Sequence, residues 1–365
     1  MPEPARPSVT AERRTASVAD FEDRLSASRE RVIPFGDRLA ASVARRESQI
    51  VLGLDPDPMR LWPVASGRAE GLPAKGSFAG DLAEEKLAVD SRQADASPAL
   101  RAARAVSMHC TALIDAAGPA CVAVKLQLAR FEALGAPGWA ALAVVAAHAR
   151  DAGLLVIADG KRGDIDVSAH AYAHALIGAS ATPFGPVAGL GADLVTVNPL
   201  MGSDALEPFI STARAAGALD GHAAGVLVLV RTSNPGAADI EDLELAGGER
   251  VWERIAMLAD KLGSGGVGAG GLSDVGAVVG ATAPEHLARA RELMPNAVFL
   301  LPGVGAQGGR VEDLAPAFAP GRAAGLISAS RSLADAHRSA GGDPAEAARA
   351  EAERLRELAW GLSGS

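Results

Sequence analysis

Leu154-Leu155-Val156-Ile157-Ala158-Asp159-Gly160-Lys161-Arg162-Gly163-Asp164 sets a short, branched apolar run directly against two carboxylates and an ammonium. A run of this length with polar and glycine residues after it reads as a buried strand. Helical patterns flank it, Trp139 to Ala152 before and Ser168 to Ile177 after. The same alternation extends in both directions. Further strands are expected at Ile50 to Leu54, Cys121 to Leu126, Leu194 to Val197, Gly225 to Val230, Gly276 to Val279, Ala297 to Leu301 and Gly325 to Ser328. Helical patterns lie between and after them at Ala99 to Ala116, Ala205 to Ala216, Gly248 to Leu262, Pro284 to Leu293, Val311 to Phe318 and Asp343 to Leu358. Eight strands alternating with helices give a parallel α/β sheet, and eight is the number that closes a (β/α)8 TIM barrel.

Residues 1–30 are rich in Ala, Ser, Arg, Glu and Pro and carry little apolar periodicity. They read as a mobile N-terminal extension with a helical part near Phe21 to Arg31. Residues 31–365 are expected to form a single barrel domain with enlarged loops on its C-terminal face. Two segments exceed an ordinary connection, Asp57 to Pro98 and Thr232 to Gly247. Both follow strands, so both fall on the face where barrels build their sites. The first is either a ligand-contacting loop or an insertion remote from ligand; the second is expected to contact ligand.

Composition narrows the function. A net charge of −9 argues against nucleic acid as the main partner. A small anionic ligand, which needs only a local cationic site, remains compatible. No apolar run reaches membrane-spanning length, and no basic-then-apolar leader is visible, so a cytoplasmic protein is expected. The only cysteines, Cys110 and Cys121, flank a helix-to-strand connection; a disulfide is conceivable there, but reduced, buried thiols are the expectation. The chain has only five lysines, and two of them, Lys125 and Lys161, fall at or near strand ends, a placement that a solubility role does not explain.

The strand ends carry the chemistry. In order they read Asp55-Pro56-Asp57; Lys125 and Gln127; Asp159-Gly-Lys161; Asn198-Pro199; Arg231-Thr-Ser233-Asn234; Gly280-Ala-Thr282; Pro302-Gly303-Val-Gly305-Ala-Gln307-Gly308-Gly309; and Ser328-Ala-Ser-Arg331. One polar strand end is usually a helix cap. Eight of them converge on one barrel mouth. Gly303, Gly305 and Gly308 with Arg331 read as a phosphate grip, since glycines admit backbone N–H groups to the oxygens and a guanidinium binds them bidentately. The bland reading is a glycine turn beside a surface arginine. Lys125, Asp159, Lys161 and Asp164 read as alternating charges in which carboxylates keep the ammoniums protonated. A positioned ammonium can then protonate a carbanion. The alternative is an ion-pair network bracing the barrel. The cluster Gly263 to Gly271 contains a GxGxxG-like pattern but precedes a strand, so it reads as a flexible connection on the opposite face. His170 and His174, four apart on a helical pattern, read as an ordinary helix face, and no metal site is expected.

From Phe35 to Leu333 these stretches together resemble orotidine 5′-monophosphate decarboxylases, in particular their longer bacterial subgroup. The carrying motifs are Leu52-Gly-Leu-Asp55-Pro56, Val124-Lys125-Leu-Gln127, Asp159-Gly-Lys161-Arg-Gly-Asp164-Ile165, Thr196-Val-Asn198-Pro199, Arg231-Thr-Ser233-Asn234-Pro235, Val278-Val-Gly-Ala-Thr282, the Pro302 to Gly309 loop and Ser328-Ala-Ser-Arg331. The Asp-x-Lys-x-x-Asp element alone marks only a superfamily of sugar-phosphate barrels; with the Arg-Thr-Ser-Asn and Pro-Gly-Val-Gly-Ala-Gln-Gly-Gly stretches it is specific. The resemblance implies a carboxy-lyase of pyrimidine biosynthesis that needs neither cofactor nor metal. It implies Lys161 as proton donor to C6, Asp159 beside the departing carboxylate, and Lys125 orienting the array and contacting ribose. It implies Asp164 reaching across a homodimer to a ribose hydroxyl and Asp55 on the ribose. Ser233 and Asn234 would read the pyrimidine, and Gln307 and Arg331 would hold the phosphate. Leu126 stands where the family pattern leads one to expect proline, and the N-terminal extension and the glycine-rich cluster are also departures. Two other readings are a magnesium-dependent sugar-phosphate lyase or decarboxylase and a non-catalytic nucleotide-binding barrel.

Overall fold

The computed structural model describes residues 32–63, 65, 97–220, 223–282, 284–305 and 307–364. The N-terminal extension, its expected helical part and most of the Asp57 to Pro98 segment lie outside these residues. Eight parallel strands close into a barrel: β1 Ile50–Leu54, β2 Ala123–Gln127, β3 Leu155–Arg162, β4 Leu194–Val197, β5 Gly225–Arg231, β6 Val275–Val279, β7 Phe299–Pro302 and β8 Gly325–Ala329. Each strand pairs with its sequence neighbours, and β1 closes the ring on β8 through the pairing Ile50 with Ile327. The fold is therefore the (β/α)8 barrel that the alternation of apolar runs and helical patterns foretold.

The helices are α1 Phe35–Arg46, α2 Pro98–Ala117, α3 Ala136–Asp151, α4 Asp166–Leu176, α5 Ser203–Asp220, α6 Val251–Gly263, α7 Glu285–Leu293 and α8 Pro344–Leu362, of which α2 to α8 cover the outside. Val311–Phe318 winds as a 3-10 helix instead of the expected α-helix. Pro316 inside it lacks the N–H that an α-helical turn requires. The strands that face both barrel and helices are apolar on both sides, which is why they read as continuous runs and not as alternating ones. Trp252, Phe209, Leu113 and Phe131 fill the layer between strands and helices.

α1, not anticipated from the sequence although Phe35, Leu39 and Val43 recur at helical spacing, plugs the N-terminal end of the barrel. Phe35, Leu39 and Val43 pack against Val51, Ile157, Leu194 and Leu227 from inside the ring. The glycine-rich stretch before β6 is fitted to this plug and is not the loose connection expected from composition. Asp37 of α1 accepts hydrogen bonds from the backbone N–H groups of Ala269 and Gly270 at 3.0 and 2.7 Å. A Cβ on Gly36 would lie 2.2 Å from the Leu272 carbonyl oxygen, so the helix can approach only with glycine there. With the bottom closed, the C-terminal mouth is left as the place for chemistry.

Candidate active site

The strand that carries the charged motif runs further than its apolar run. β3 continues through Asp159, Gly160, Lys161 and Arg162, so these residues sit on the strand and not after it. Its register with β4 shifts between Ala158 and Arg162, and Lys161 adopts φ +48° inside the shifted stretch. A left-handed backbone is uncommon for a long side chain and persists only where its surroundings hold it. Here the Lys161 N–H donates to Thr196 Oγ1 on β4 at 2.9 Å.

Asp159 is the hub of the resulting cluster. Its Oδ2 accepts from Lys125 Nζ at 2.8 Å and from Gln127 Nε2 at 3.3 Å. Its Oδ1 accepts from Lys161 Nζ at 2.6 Å and from Thr196 Oγ1 at 2.9 Å. Lys125 also reaches Asp55 Oδ1 of the post-β1 segment at 3.4 Å. Burial, the largest influence on Asp159, favours its neutral form, yet the two ammoniums and their hydrogen bonds prevail and hold the carboxyl at about 2. Burial likewise works against charge on Lys125, and Asp159 and Asp55 overcome it, leaving the amine above the ordinary lysine value. The two lysines differ in setting: the Lys125 side chain is 7% exposed and that of Lys161 is 44% exposed. Lys125 is therefore fixed in the floor, while the Lys161 ammonium looks into open space.

That space is a cavity of about 490 Å³ at the barrel mouth. Its floor is the Asp55, Lys125, Asp159, Lys161 and Thr196 cluster; Leu229, Val278 and Leu300 form an apolar base; and Ser233, Asn234, Gln307 and Arg331 stand around the rim. Ser233 Oγ donates to Gln307 Oε1 at 3.0 Å, joining the post-β5 excursion to the post-β7 loop across the mouth. Arg331 is exposed and forms no ion pair among the described residues. The cavity thus holds both an alternating charge cluster and, in Arg331, a guanidinium without an ion-pair partner among the described residues.

Most of the residues given a role from sequence meet here, but Asp164, Gly305 and Gly308 do not line the cavity, and neither do the β4 and β6 strand ends Asn198-Pro199 and Gly280-Ala-Thr282. Asp164 lies outside the cavity of its own chain, with its Oδ1 turned to the Ile165 N–H at 2.8 Å. Gly305 and Gly308 shape the post-β7 loop through φ of +75° and +93°. Their N–H groups donate within the loop, Gly305 to Gly309 and Gly308 to Gly305, both at 2.9 Å, so only Gly303 of the three reaches the cavity. Glu241 is the cavity residue that sequence reasoning missed. Its carboxylate accepts from Thr232 N at 2.8 Å and from Thr232 Oγ1 at 2.9 Å, which fixes the turn that presents Ser233 and Asn234. Asp242 beside it forms a two-point ion pair with buried Arg231, both contacts at 2.9 Å. Two adjacent acids ten residues past a strand were the available signal. Among the described residues no group of three or more His, Cys, Asp or Glu side chains is arranged to hold a metal.

Residues 81–350 match the model of the Orotidine 5′-phosphate decarboxylase / HUMPS family. The chain belongs to this family. An orotidine 5′-phosphate decarboxylase of Rhodopirellula baltica is 36% identical over 307 residues, covering 84% of this chain and 90% of the relative. One from Deinococcus radiodurans is 47% identical over 222 residues, or 60% of this chain and 74% of its own. Among solved structures, a putative orotidine 5′-phosphate decarboxylase from Streptomyces avermitilis superposes with a TM-score of 0.67 at 27% identity, covering 92% of this chain and 97% of that one. The OMP decarboxylase of Leishmania donovani superposes with a TM-score of 0.62 at 29% identity, covering 91% and 100%. The orotidine 5′-phosphate decarboxylase / HUMPS match spans the strand ends from β2 to β8 and so takes in every cavity residue except Asp55.

Proposed function

We propose that this chain decarboxylates orotidine 5′-monophosphate to uridine 5′-monophosphate and CO2, a step of pyrimidine nucleotide synthesis. The observation that carries the reading is the buried Asp159 carboxylate, held ionised between two ammoniums in a cavity also lined by Arg331, which forms no ion pair among the described residues. In the reaction the bond between C6 and the carboxylate breaks, the electron pair stays on C6, and Lys161 supplies the proton. The Lys161 ammonium also stabilises the developing carbanion, with its position set in advance by Asp159 and by the strained backbone. Asp159 faces the departing carboxylate, a like-charge contact that vanishes as CO2 leaves. Lys125 keeps Asp159 ionised and, with Asp55, meets the ribose hydroxyls. Ser233 and Asn234 contact the pyrimidine, and Gln307, Gly303 and Arg331 hold the phosphate. Binding energy gathered at the phosphate then contributes to the chemical step at C6.

Asp164 completes the array from the second subunit of a homodimer. Its absence from the cavity of its own chain supports this, as do the exposed apolar side chains around it, Ile165, Val167, Leu200 and Met201. The two cysteines are free, buried and pushed up by burial, which suits a cytoplasmic enzyme. The test is direct: purified protein is mixed with orotidine 5′-monophosphate and the orotate absorbance is followed. A steady fall supports the reading, and an unchanged spectrum at high enzyme concentration rejects it.

A further inference from the structure

Beyond the residues that touch the nucleotide, the segment after β1 is tied to the element that carries Arg331. Gly53 abuts Ser330 so closely that a Cβ there would lie 1.8 Å from Ser330 Oγ. Asp55, two residues on, is paired to Lys125 in the cavity floor. The chain then makes a turn in which Asp57 accepts from Met59 N at 3.0 Å and from Arg60 N at 2.8 Å. That turn aims two side chains at the short helix Arg331–Ala334. Trp62 Nε1 donates to the Ala334 carbonyl at 2.9 Å, and Arg60 Nη2 donates to Asp335 Oδ2 at 2.8 Å. Trp62 is itself 2% exposed and is held from behind, where its N–H donates to His109 Nδ1 at 3.2 Å and the two rings meet edge to face. Burial pushes the His109 imidazole down to about 4, against the pull of Asp335, so the ring is neutral and able to accept.

We propose that Arg60 and Trp62 are positioning residues for phosphate recognition, strapping the Arg331 element to the strand that supplies Asp55. The proposal deepens the reading of the site as a nucleotide 5′-monophosphate site and rests on it. A side cavity of about 200 Å³ makes these bonds decisive. It lies between the strap and the Arg331 element and is lined by Gly53, Asp55, His109, Ser330, Arg331 and Ala334. Leu333 anchors the element on its buried side. On the side facing this void, packing against Gly53 holds the element at Ser330, and directional hydrogen bonds hold its other end at Ala334 and Asp335. The segment from Gly53 to Trp62 thus reaches the catalytic floor through Asp55 and the Arg331 element through Arg60 and Trp62, so the strap sets the spacing between them.

The test separates phosphate recognition from general damage. Affinities for uridine 5′-monophosphate and for uridine are measured by calorimetry on the full chain, a readout that does not require turnover. Trp62→Phe keeps an aromatic ring, though a smaller one, and loses the donor; Arg60→Gln removes the ion pair at an exposed position and leaves the core intact, so it serves even where the tryptophan variant misfolds. The loss of one hydrogen bond predicts about fivefold weaker nucleotide binding for Trp62→Phe and about twofold for Arg60→Gln, and the double variant about tenfold. Uridine affinity stays unchanged, and in an Arg331→Ala background the strap substitutions add nothing. Equal losses for nucleotide and nucleoside, no loss for either, or full additivity with Arg331→Ala would each overturn the proposal. A wild-type protein that binds the nucleotide but does not decarboxylate its orotate counterpart would instead sink the functional reading and leave the strap standing.

Discussion

Lys161→Ala takes away the proton source proposed for C6 and leaves Lys125, Asp159 and the anion-binding rim in place. Turnover should fall by at least about 10³-fold, the scale of a lost general acid that also stabilises charge, while product affinity measured by calorimetry changes little. Asp159 offers a second handle through pH. Its folded-state value of about 2 lies below the ordinary carboxylate value, so its contribution to stability is full above about pH 4 and is lost as pH falls toward 2. The urea midpoint of the wild type should therefore converge on that of Asp159→Asn between pH 4 and pH 2; a gap that persists unchanged across that window contradicts the ion-paired state. At this scale the sequence was readable where residue type is unusual. Lysine is rare in the chain, so its placement at two strand ends stood out. Glu241 did not stand out, because acids are common here and only the folded turn shows its carboxylate receiving the Thr232 N–H.

The strands and most helices follow from hydrophobic pattern, because the barrel buries both faces of each strand and leaves unbroken apolar runs. Pattern fails where polar residues are buried by pairing. β3 runs through Asp159 to Arg162 because its carboxylate and ammonium satisfy one another and Thr196 receives the displaced N–H, which no propensity encodes. Thr196→Val tests that element. It removes an acceptor for the Lys161 N–H and a donor to Asp159 at nearly constant volume, with an expected loss of about 1–3 kcal/mol in stability by denaturant titration. The turnover number should fall as well, since the left-handed Lys161 backbone loses its anchor. Unchanged turnover would mean that the register shift, and not Thr196, fixes the lysine. α1 escaped notice for a different reason. Its stripe of Phe35, Leu39 and Val43 has helical spacing, but it is short and directly follows the polar extension, so it was passed over with that extension.

At the scale of the whole molecule, closure of the ring explains why residues from positions 55 to 331 share one cavity. It also explains why Asp164 does not: the turn after β3 carries it away from its own mouth, beside an exposed apolar surface. The proposed homodimer makes a prediction that neither subunit alone could satisfy. Lys161→Ala and Asp164→Ala proteins, each inactive alone, should regain activity when co-refolded, because a mixed dimer contains one site with both side chains intact. No recovery in a verified mixed dimer would show that Asp164 serves its own chain or none. The most direct measurement joins charge array and chemistry. Orotidine 5′-monophosphate is incubated with wild type and with Lys161→Ala, each with excess chelator, while the orotate absorbance is recorded. Wild type should consume the substrate undisturbed by the chelator, and the variant should leave it intact while still binding uridine 5′-monophosphate. A variant that matches wild type, or a wild type silenced by the chelator, would contradict decarboxylation by the Lys125, Asp159 and Lys161 array.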